Sequence, residues 1–221
     1  MLELQAAELD FIRSCHVADE KDFLEKCCIY GDFLYETNQT LNLTRIPAEE
    51  FWSKHVCDSL AIAREVKFPD STHHMKMCDV GCGGGLPSLI LASAFPNLYV
   101  TAIDSTGKKI RFVEQAAAKM GLTNLRAIQV RANELGHKSE FRHSFPLVTA
   151  RAVASADVLI RETAGLISRN GELVIYRTPT QAEPEAEWLR SLKKAPAFEL
   201  TDTLELPGGG TRLFLKIRGL G

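Results

Sequence analysis

The sequence has no apolar run long enough to cross a bilayer, and its first residues include acidic side chains where a secretion signal would be basic. A transmembrane helix needs about 20 consecutive apolar residues, and a signal peptide needs a basic segment before its apolar core. We therefore expect a cytoplasmic protein that does not bind membranes. Its 221 residues, 45% of them hydrophobic, suffice for one well-packed domain.

The cysteines lack the spacing of a metal site. No two form a CxxC pair, and no group of cysteines and histidines has zinc-site spacing. We expect reduced thiols in the core, no disulfide and no bound metal. The six cysteines are at positions 15, 27, 28, 57, 78 and 82.

The chain has little net charge, only −2, but the charges are unevenly distributed. Residues 1–80 hold 15 acidic and 8 basic side chains, whereas residues 81–221 hold 13 acidic and 18 basic ones. The first part would repel a polyanion, so nucleic-acid binding would require a basic surface on the second part. Taken alone, this charge pattern favours ordinary solvated side chains over such a surface.

The stretch 77–87, MCDVGCGGGLP, lacks the third glycine of the dinucleotide fingerprint GxGxxG, because Leu86 stands in its place. The pattern present is GxGxG, between a predicted strand and a helix predicted over 86–94. Glycine permits positive φ and lets the backbone approach a ligand, and a helix amino terminus favours negative charge. The pattern indicates a nucleotide-like ligand; a tight turn without a ligand is the alternative.

Asp104 ends the next apolar run, which covers residues 98–103. Its carboxylate is therefore expected at the tip of the neighbouring strand, where it can accept hydrogen bonds from both hydroxyls of a ribose. Together with Gly81 and Gly83, this arrangement resembles the cofactor site of Rossmann-like methyltransferases. The resemblance implies that the cofactor is S-adenosyl-L-methionine (SAM).

The remaining pattern predicts an α/β fold with helices at the amino terminus. Helices are predicted over 2–17, 19–36, 47–66, 107–120, 155–167 and 181–192, and further strands over 125–130, 147–150 and 172–176. The runs 198–206 and 212–218 flank a Pro-Gly-Gly-Gly turn and suit an antiparallel pair. We predict a Rossmann-like class I methyltransferase fold with a mostly parallel seven-stranded sheet and one antiparallel strand. A helical extension, 1–66, would pack on the methyltransferase domain, 67–221, as one compact unit.

Three arginines directly follow predicted strands: Arg131, Arg151 and Arg177. Ligands of open α/β sheets bind outside the carboxyl ends of the strands, so these cations are expected to converge at one edge. Buried charges need partners, and we favour an anion or a nucleobase over internal ion pairs. The internal alternatives are Asp58, Asp79 and Asp104.

A closer resemblance extends from about Leu41 to Lys216. The segments that carry it are Asn42-Leu-Thr44, His55 with Asp58-Ser59, DVGxGxGLP at 79–87, Asp104-Ser-x-Gly-Lys-Lys-x-Arg-Phe112, Arg151-Ala152, and Arg212. Together they resemble the bacterial small-subunit rRNA guanine-N7 methyltransferase family, RsmG, also called GidB. The resemblance implies a cytoplasmic enzyme that transfers a methyl group from SAM to N7 of one guanine in 16S rRNA. The partner would be 16S rRNA or the small ribosomal subunit, and we expect a monomer.

The resemblance also implies roles for individual residues. The cofactor contacts would be Gly81, Gly83, Leu86, Asp104, Ala132, Asn133 and Arg151. The basic residues that position the RNA or its target base would be Arg131, Arg151, Arg177 and Arg212. We assign no general base, because guanine N7 has a free lone pair and needs only positioning and electrostatic stabilisation.

Two positions depart from the residues usual in this family. Ser88 replaces a glycine, and Arg177-Thr178 replaces Lys-Gly. Arginine can still hold a phosphate, because its planar group donates two parallel hydrogen bonds. We interpret the lone His55 as structural, and Asp58 as a carboxylate that could favour the positive charge formed on a methylated purine.

Two other hypotheses remain open at this stage. The first is a SAM-dependent methyltransferase of a protein or a small molecule. The second is a non-catalytic RNA-binding module with the same fold. Binding of SAM would distinguish the second hypothesis from an enzyme, and the identity of the methylated product would distinguish the first.

Overall fold

The computed structural model describes residues 2–70 and 72–220, which form a sheet with helices on both faces. The helices are α1 (Ala6–Ser14), α2 (Glu20–Leu41), α3 (Asp58–Leu60), α4 (Ser88–Ala94), α5 (Gly107–Lys119), α6 (Ala132–Gly136), α7 (Ala156–Thr163) and α8 (Pro179–Ser191). The strands are β1 (Met75–Val80), β2 (Leu98–Asp104), β3 (Leu125–Gln129), β4 (Phe145–Arg151), β5 (Ile167–Arg177), β6 (Ala197–Leu200), β7 (Leu204–Glu205) and β8 (Thr211–Arg218).

The strand order is β3-β2-β1-β4-β5-β8-β6, and the two-residue β7 pairs with β8 outside this path. Strands β1 to β5 are parallel to one another, whereas β8 runs antiparallel to both β5 and β6. The predicted seven-stranded sheet with one reversed strand is confirmed. Its register pairs Val80 with Ile103 and with Ala150, so the carboxyl ends of β1, β2 and β4 are adjacent.

Each face of the sheet carries its own apolar core, because side chains of a strand alternate between faces. In β1, Met77 belongs to the core that also contains the amino-terminal helices, α4 and α5. Its neighbour Cys78 belongs to the opposite core, with α6, α7 and α8. These parallel strands are covered on both sides, which explains their nearly continuous apolar sequences.

The amino-terminal helices form part of the first core. Asp19 caps α2, since its side chain accepts a hydrogen bond of 3.0 Å from the Asp22 N–H. The buried face of α2 includes Phe23 and Tyr30, and the Tyr30 hydroxyl donates to the Gly84 carbonyl over 2.8 Å. This contact joins the amino-terminal layer to the glycine stretch. The boundary between 66 and 67 stays a prediction.

Several predicted boundaries are wrong. The predicted helix over 47–66 is instead a mixed segment: a 3-10 turn at Ala48–Glu50, a π-helical turn at Trp52–Cys57, α3, and a second 3-10 turn at Ala61–Arg64. Helix α7 ends at Thr163, before the predicted 167, because Ile167 begins β5. The predicted strand over 198–206 is divided into β6 and β7, and α6 was not predicted. The periodicity of apolar residues along the chain does not indicate these interruptions, because tertiary packing imposes them.

The prediction of core thiols holds for five cysteines and is wrong for Cys28, which is exposed on α2. All six thiols are free. None of the helices that the structure describes is long and apolar enough to span a membrane. Within residues 2–70 and 72–220, no group of three or more His, Cys, Asp or Glu side chains could hold a metal ion.

A buried carboxylate ties β1 to β4 and α4 beneath the glycine stretch. Asp79 accepts hydrogen bonds from the Thr149 hydroxyl, at 3.0 Å, and from the Ser88 hydroxyl. Burial raises the pKa of Asp79 to about 7, although both hydroxyls oppose the rise. Ser88, one of the two departures from the family pattern, therefore supplies a hydrogen bond that a glycine could not.

The raised pKa predicts a pH-dependent stability. Between about pH 4 and pH 7 the folded protein retains a proton on Asp79 that the unfolded chain releases, so stability declines as pH rises through this window. The Asp79→Asn variant lacks this term. Relative to wild type, the free energy of unfolding of this variant should therefore rise by on the order of 2 kcal/mol when the pH is raised from 5 to 8, since one pKa unit corresponds to about 1.4 kcal/mol.

Urea denaturation at both pH values measures this gain. Asp10→Asn is the matched control, because the Asp10 side chain is 78% exposed. Parallel stability curves for wild type and Asp79→Asn would contradict the raised pKa.

Candidate cofactor and RNA site

The glycine stretch between β1 and α4 adopts a conformation that excludes side chains. Gly81 has φ +72° and Gly83 has φ +55°. The N–H groups of Gly81 and Cys82 both donate to the Ile103 carbonyl, over 2.8 and 2.9 Å. A Cβ atom on Gly81 would lie 2.6 Å from a methyl group of Val153. The stretch therefore folds closely against the ends of β2 and β4.

Asp104 lies beside this stretch and contacts it directly. One carboxylate oxygen accepts the Gly83 N–H at 3.1 Å, and the other accepts the Thr106 N–H at 2.8 Å. The Lys109 ammonium lies 3.7 Å from the first oxygen. A carboxylate can accept about four hydrogen bonds, so Asp104 is fixed in orientation and retains acceptor sites for ligand hydroxyls.

A cavity of about 450 Å³ opens next to Asp104 at the carboxyl ends of β1 to β4. Apolar side chains such as Val130 and Leu159 form its walls, and Asp104 supplies a polar group. An apolar cleft with a few placed polar groups is the usual form of a small-molecule site. The lining residues are Val80, Gly81, Ile103, Asp104, Ser105, Thr106, Lys109, Val130, Arg131, Ala132, Ala152, Val153, Ala154, Val158, Leu159 and Glu162.

The cavity includes only part of the predicted cofactor set. Gly81, Asp104 and Ala132 line it. Gly83 is not part of the lining, but its N–H donates a hydrogen bond to Asp104. Leu86, Asn133 and Arg151 lie outside this lining. Leu86 packs against the first core, and the Asn133 side chain accepts a hydrogen bond from the Glu134 N–H at 2.8 Å. The roles of these residues in cofactor binding stay predictions.

A second cavity, of about 380 Å³, lies at the opposite end of the sheet and includes Lys76, Tyr99 and Arg126. Arg126 is already paired with Glu140 at 2.9 Å. This second cavity contains none of the predicted site residues. The first cavity is therefore the candidate cofactor site.

The preference for external anions over internal ion pairs is wrong for two of the arginines. Arg151 lies 2.8 Å from Asp58, one of the internal partners considered above. Arg177 forms a two-point pair with Glu185, at 2.8 and 3.0 Å, and also donates to the Ala154 carbonyl at 2.6 Å. The sequence analysis named Asp58 only as one of three internal alternatives, and it did not indicate Glu185, which lies on α8.

Arg177 differs from the other predicted arginines in its burial, since only 4% of its side chain is exposed. Glu185 also accepts the Ala156 N–H at 2.9 Å. The pair therefore fastens the turn between β4 and α7 to helix α8. This pairing gives Arg177 a structural task, and its direct contact with RNA stays a prediction. Arg131, by contrast, is exposed and lines the cavity.

Arg212 also pairs with Asp58, through contacts of 2.6 and 3.0 Å to the two carboxylate oxygens. Asp58 thus lies between two guanidinium groups from β4 and β8. Both arginine side chains keep 16% of their surface exposed. They are therefore held by the protein and still reach solvent.

His55 is buried next to this cluster, as the structural interpretation predicted. Its Nε2 atom lies 2.9 Å from the Thr44 hydroxyl, and its Nδ1 atom has no hydrogen-bond partner within the described residues. Burial, reinforced by the positive charge of Arg151, lowers the pKa of His55 to about 4. The imidazole is therefore neutral at physiological pH and adds no positive charge.

Sequence reasoning missed three contributors to the site. Lys109 and Thr106 fix the Asp104 carboxylate, and Val153 covers Gly81. Lys109 and Thr106 both lie within the Asp104–Phe112 segment that carried the resemblance, but the sequence analysis assigned them no role. Nothing in the sequence indicated Val153, which meets Gly81 only because β1 and β4 are neighbours.

Comparison with known proteins identifies the family. Residues 23–208 match the model of the GidB family, rRNA small subunit methyltransferase G. A Gloeobacter violaceus protein named ribosomal RNA small subunit methyltransferase G is 36% identical over 202 residues, covering 83% of this chain and 78% of that protein. A Limosilactobacillus reuteri protein of the same name is 38% identical over 182 residues, covering 81% of this chain and 75% of that protein.

Solved structures agree on the fold. A Corynebacterium glutamicum protein covers 86% of this chain and 89% of its own length, with a TM-score of 0.55 and 16% identity. The fibrillarin pre-rRNA processing protein of Methanococcus jannaschii covers 72% of this chain and 73% of its own length, with a TM-score of 0.52 and 19% identity. The fold and the sequence matches lead to one conclusion: the chain belongs to the rRNA small subunit methyltransferase G (GidB) family.

Proposed function

We propose that this protein is a SAM-dependent methyltransferase that methylates N7 of a specific guanine in 16S rRNA. The family match supports the reaction class and the kind of substrate. The single structural observation that carries the proposal is the Asp104 carboxylate, oriented by Gly83 and facing a cavity at the carboxyl ends of the parallel strands. Ligands of open α/β sheets bind at this edge.

The cavity residues suit the nucleoside part of SAM. Asp104 is positioned to accept the ribose hydroxyls, and apolar walls including Val130 suit the flat face of adenine. Gly81 and Gly83 bring backbone close to the remainder of the cofactor. SAM supplies an activated methyl group when bound, and these residues orient it.

The reaction requires positioning and no proton transfer. Bound SAM would transfer its methyl group from sulfur to guanine N7, which would leave S-adenosylhomocysteine and a positive charge on the purine. Holding the two reactants aligned at about 3 to 3.5 Å lowers the barrier by removing the entropy of their encounter. Asp79 and His55 are not placed as general bases, because Asp79 is hydrogen-bonded beneath the glycine stretch and His55 is enclosed.

The RNA would approach along the exposed arginines at the same edge. Arg131 lines the cavity and is exposed, and Arg151 and Arg212, which lie outside the cavity lining, each keep 16% of their side-chain surface exposed. The target guanine has to be unstacked to reach a pocket of this kind. We place the protein in the cytoplasm as a monomer that acts on 16S rRNA or the small ribosomal subunit.

Mapping of N7-methylguanine tests the reaction. Small subunits from cells without this gene should acquire one N7-methylguanine when incubated with the protein and SAM. Naked 16S rRNA, assembled small subunits, proteins and a metabolite pool should be compared as acceptors. Methylation confined to a protein or a small molecule would favour the other methyltransferase hypothesis, and SAM binding without any transfer would contradict an enzyme.

The Asp104→Ala variant should bind SAM about 10- to 100-fold more weakly, because hydrogen bonds to a charged group contribute about 1.5 to 3 kcal/mol. Isothermal titration calorimetry measures the dissociation constant directly. Asp202→Ala is the matched control, since Asp202 is an exposed acid remote from the cavity. Equal SAM affinity in wild type and Asp104→Ala would refute this cofactor site.

The Arg131→Ala variant should weaken RNA binding severalfold and make it less dependent on salt. Each cation that neutralises a phosphate releases a counterion, so the slope of log K against log salt should fall by about one for a lost contact. Filter binding over a salt series gives both quantities. Arg169→Ala is the control, because it removes a different exposed arginine, which lies on β5. Identical salt slopes for Arg131→Ala and wild type would exclude a contact between Arg131 and a phosphate.

A further inference from the structure

The Asp58 clasp consists of Asp58, Arg151 and Arg212. The Asp58 carboxylate lies between the two guanidinium groups, with Arg212 at 2.6 and 3.0 Å and Arg151 at 2.8 Å. Only 4% of the Asp58 side chain is exposed. Three distant parts of the chain therefore meet at one buried carboxylate.

The segment that carries Asp58 also holds Arg151 at two further points. Arg151 donates to the Ser59 hydroxyl at 3.0 Å and to the Lys54 carbonyl at 2.8 Å. The Tyr176 hydroxyl donates to the Ser59 carbonyl at 2.9 Å and fixes this segment to β5. The π-helical turn Trp52–Cys57, which contains Lys54 and directly precedes Asp58, is a geometry that occurs often at functional sites.

The clasp has more positive than negative charge. Two guanidinium groups surround one carboxylate, and the neighbouring His55 is neutral. Arg212 uses its Nε and one terminal nitrogen on Asp58, and its other terminal nitrogen makes no hydrogen bond to residues 2–70 or 72–220. A net positive cluster with unused donors and 16% exposure of each arginine is suited to an anion.

We propose that Asp58 is a positioning residue for methyl transfer, which orients Arg151 and Arg212 so that their unused N–H groups bind an RNA phosphate beside the target guanine. This role rests on the proposed function. Free arginine side chains have several rotamers. The two-point contact with Asp58 restricts Arg212, and the contacts with Asp58, Ser59 and the Lys54 carbonyl restrict Arg151, before the RNA arrives. The consequence is precise placement of the base, and not tighter RNA binding, since Asp58 itself carries a charge that repels RNA.

The Asp58→Asn variant separates these two effects, because it keeps the shape and removes the charge. Its kcat should fall by about 10- to 100-fold, since small errors in placement cost that much. Its KM for small subunits should change less than about threefold or decrease, and its affinity for SAM should stay unchanged. Glu50→Gln is the matched control, because Glu50 pairs with Lys54 at 2.7 Å in the same segment and contacts neither arginine.

A merely structural role for Asp58 would lower the thermal stability and weaken SAM binding together with kcat, and this outcome would overturn the proposal. A kcat for Asp58→Asn within about threefold of wild type would overturn it as well. Should Asp58→Asn fail to fold, the Arg212→Lys variant tests the same geometry, because lysine keeps the charge and loses the fork. We expect a loss of kcat with RNA binding retained, and full kcat in Arg212→Lys would overturn the proposal.

The activity of the wild-type protein distinguishes a failure of the proposed role of Asp58 from a failure of the proposed function. An active wild type with an equally active Asp58→Asn variant overturns the role of Asp58 alone. A wild type that binds SAM and transfers no methyl group to small subunits overturns the proposed function and, with it, the role of Asp58.

Discussion

The hydrogen bond from the Gly83 N–H to the Asp104 carboxylate is the constraint on which the site depends. It requires β1 and β2 to be adjacent and in register, because Gly83 follows the end of β1 and Asp104 is the last residue of β2. It also requires a glycine conformation that closes the stretch against β2. Once this contact is formed, the cavity beside it has one polar group in a defined orientation and apolar walls around it.

Buried polar contacts connect this site to the sheet and to the helical layer on one of its faces. Asp79 joins β1 to β4 and α4, and Tyr30 joins α2 to the glycine stretch. An unpaired buried polar group costs about 1 to 3 kcal/mol, so each contact favours one arrangement of the elements it links. The amino-terminal helices are therefore part of the framework of the site, and not merely a cover for one face of the sheet.

The arginines show how tertiary structure changes the meaning of a sequence pattern. All of them follow or begin strands at one edge, as the topology required, yet they have different surroundings. Arg177 is buried with Glu185, Arg151 and Arg212 share Asp58, and Arg131 is exposed at the cavity. One carboxylate between two guanidinium groups gives a cluster with a net positive charge, whereas one carboxylate paired with one guanidinium group has no net charge. This difference separates a cluster suited to RNA from a structural ion pair.

The sequence by itself determined the alternation of most strands and helices, the glycine turn, the acid at the end of β2 and the family. Apolar periodicity and glycine geometry are local properties, and local properties can be inferred from neighbours along the chain. Only the tertiary structure decided the partners of Arg151, Arg177 and Arg212, the contact of Val153 with Gly81, and the mixed helical turns before Asp58. These features depend on residues up to 154 positions apart, whose meeting is set by the packing of the sheet and its layers.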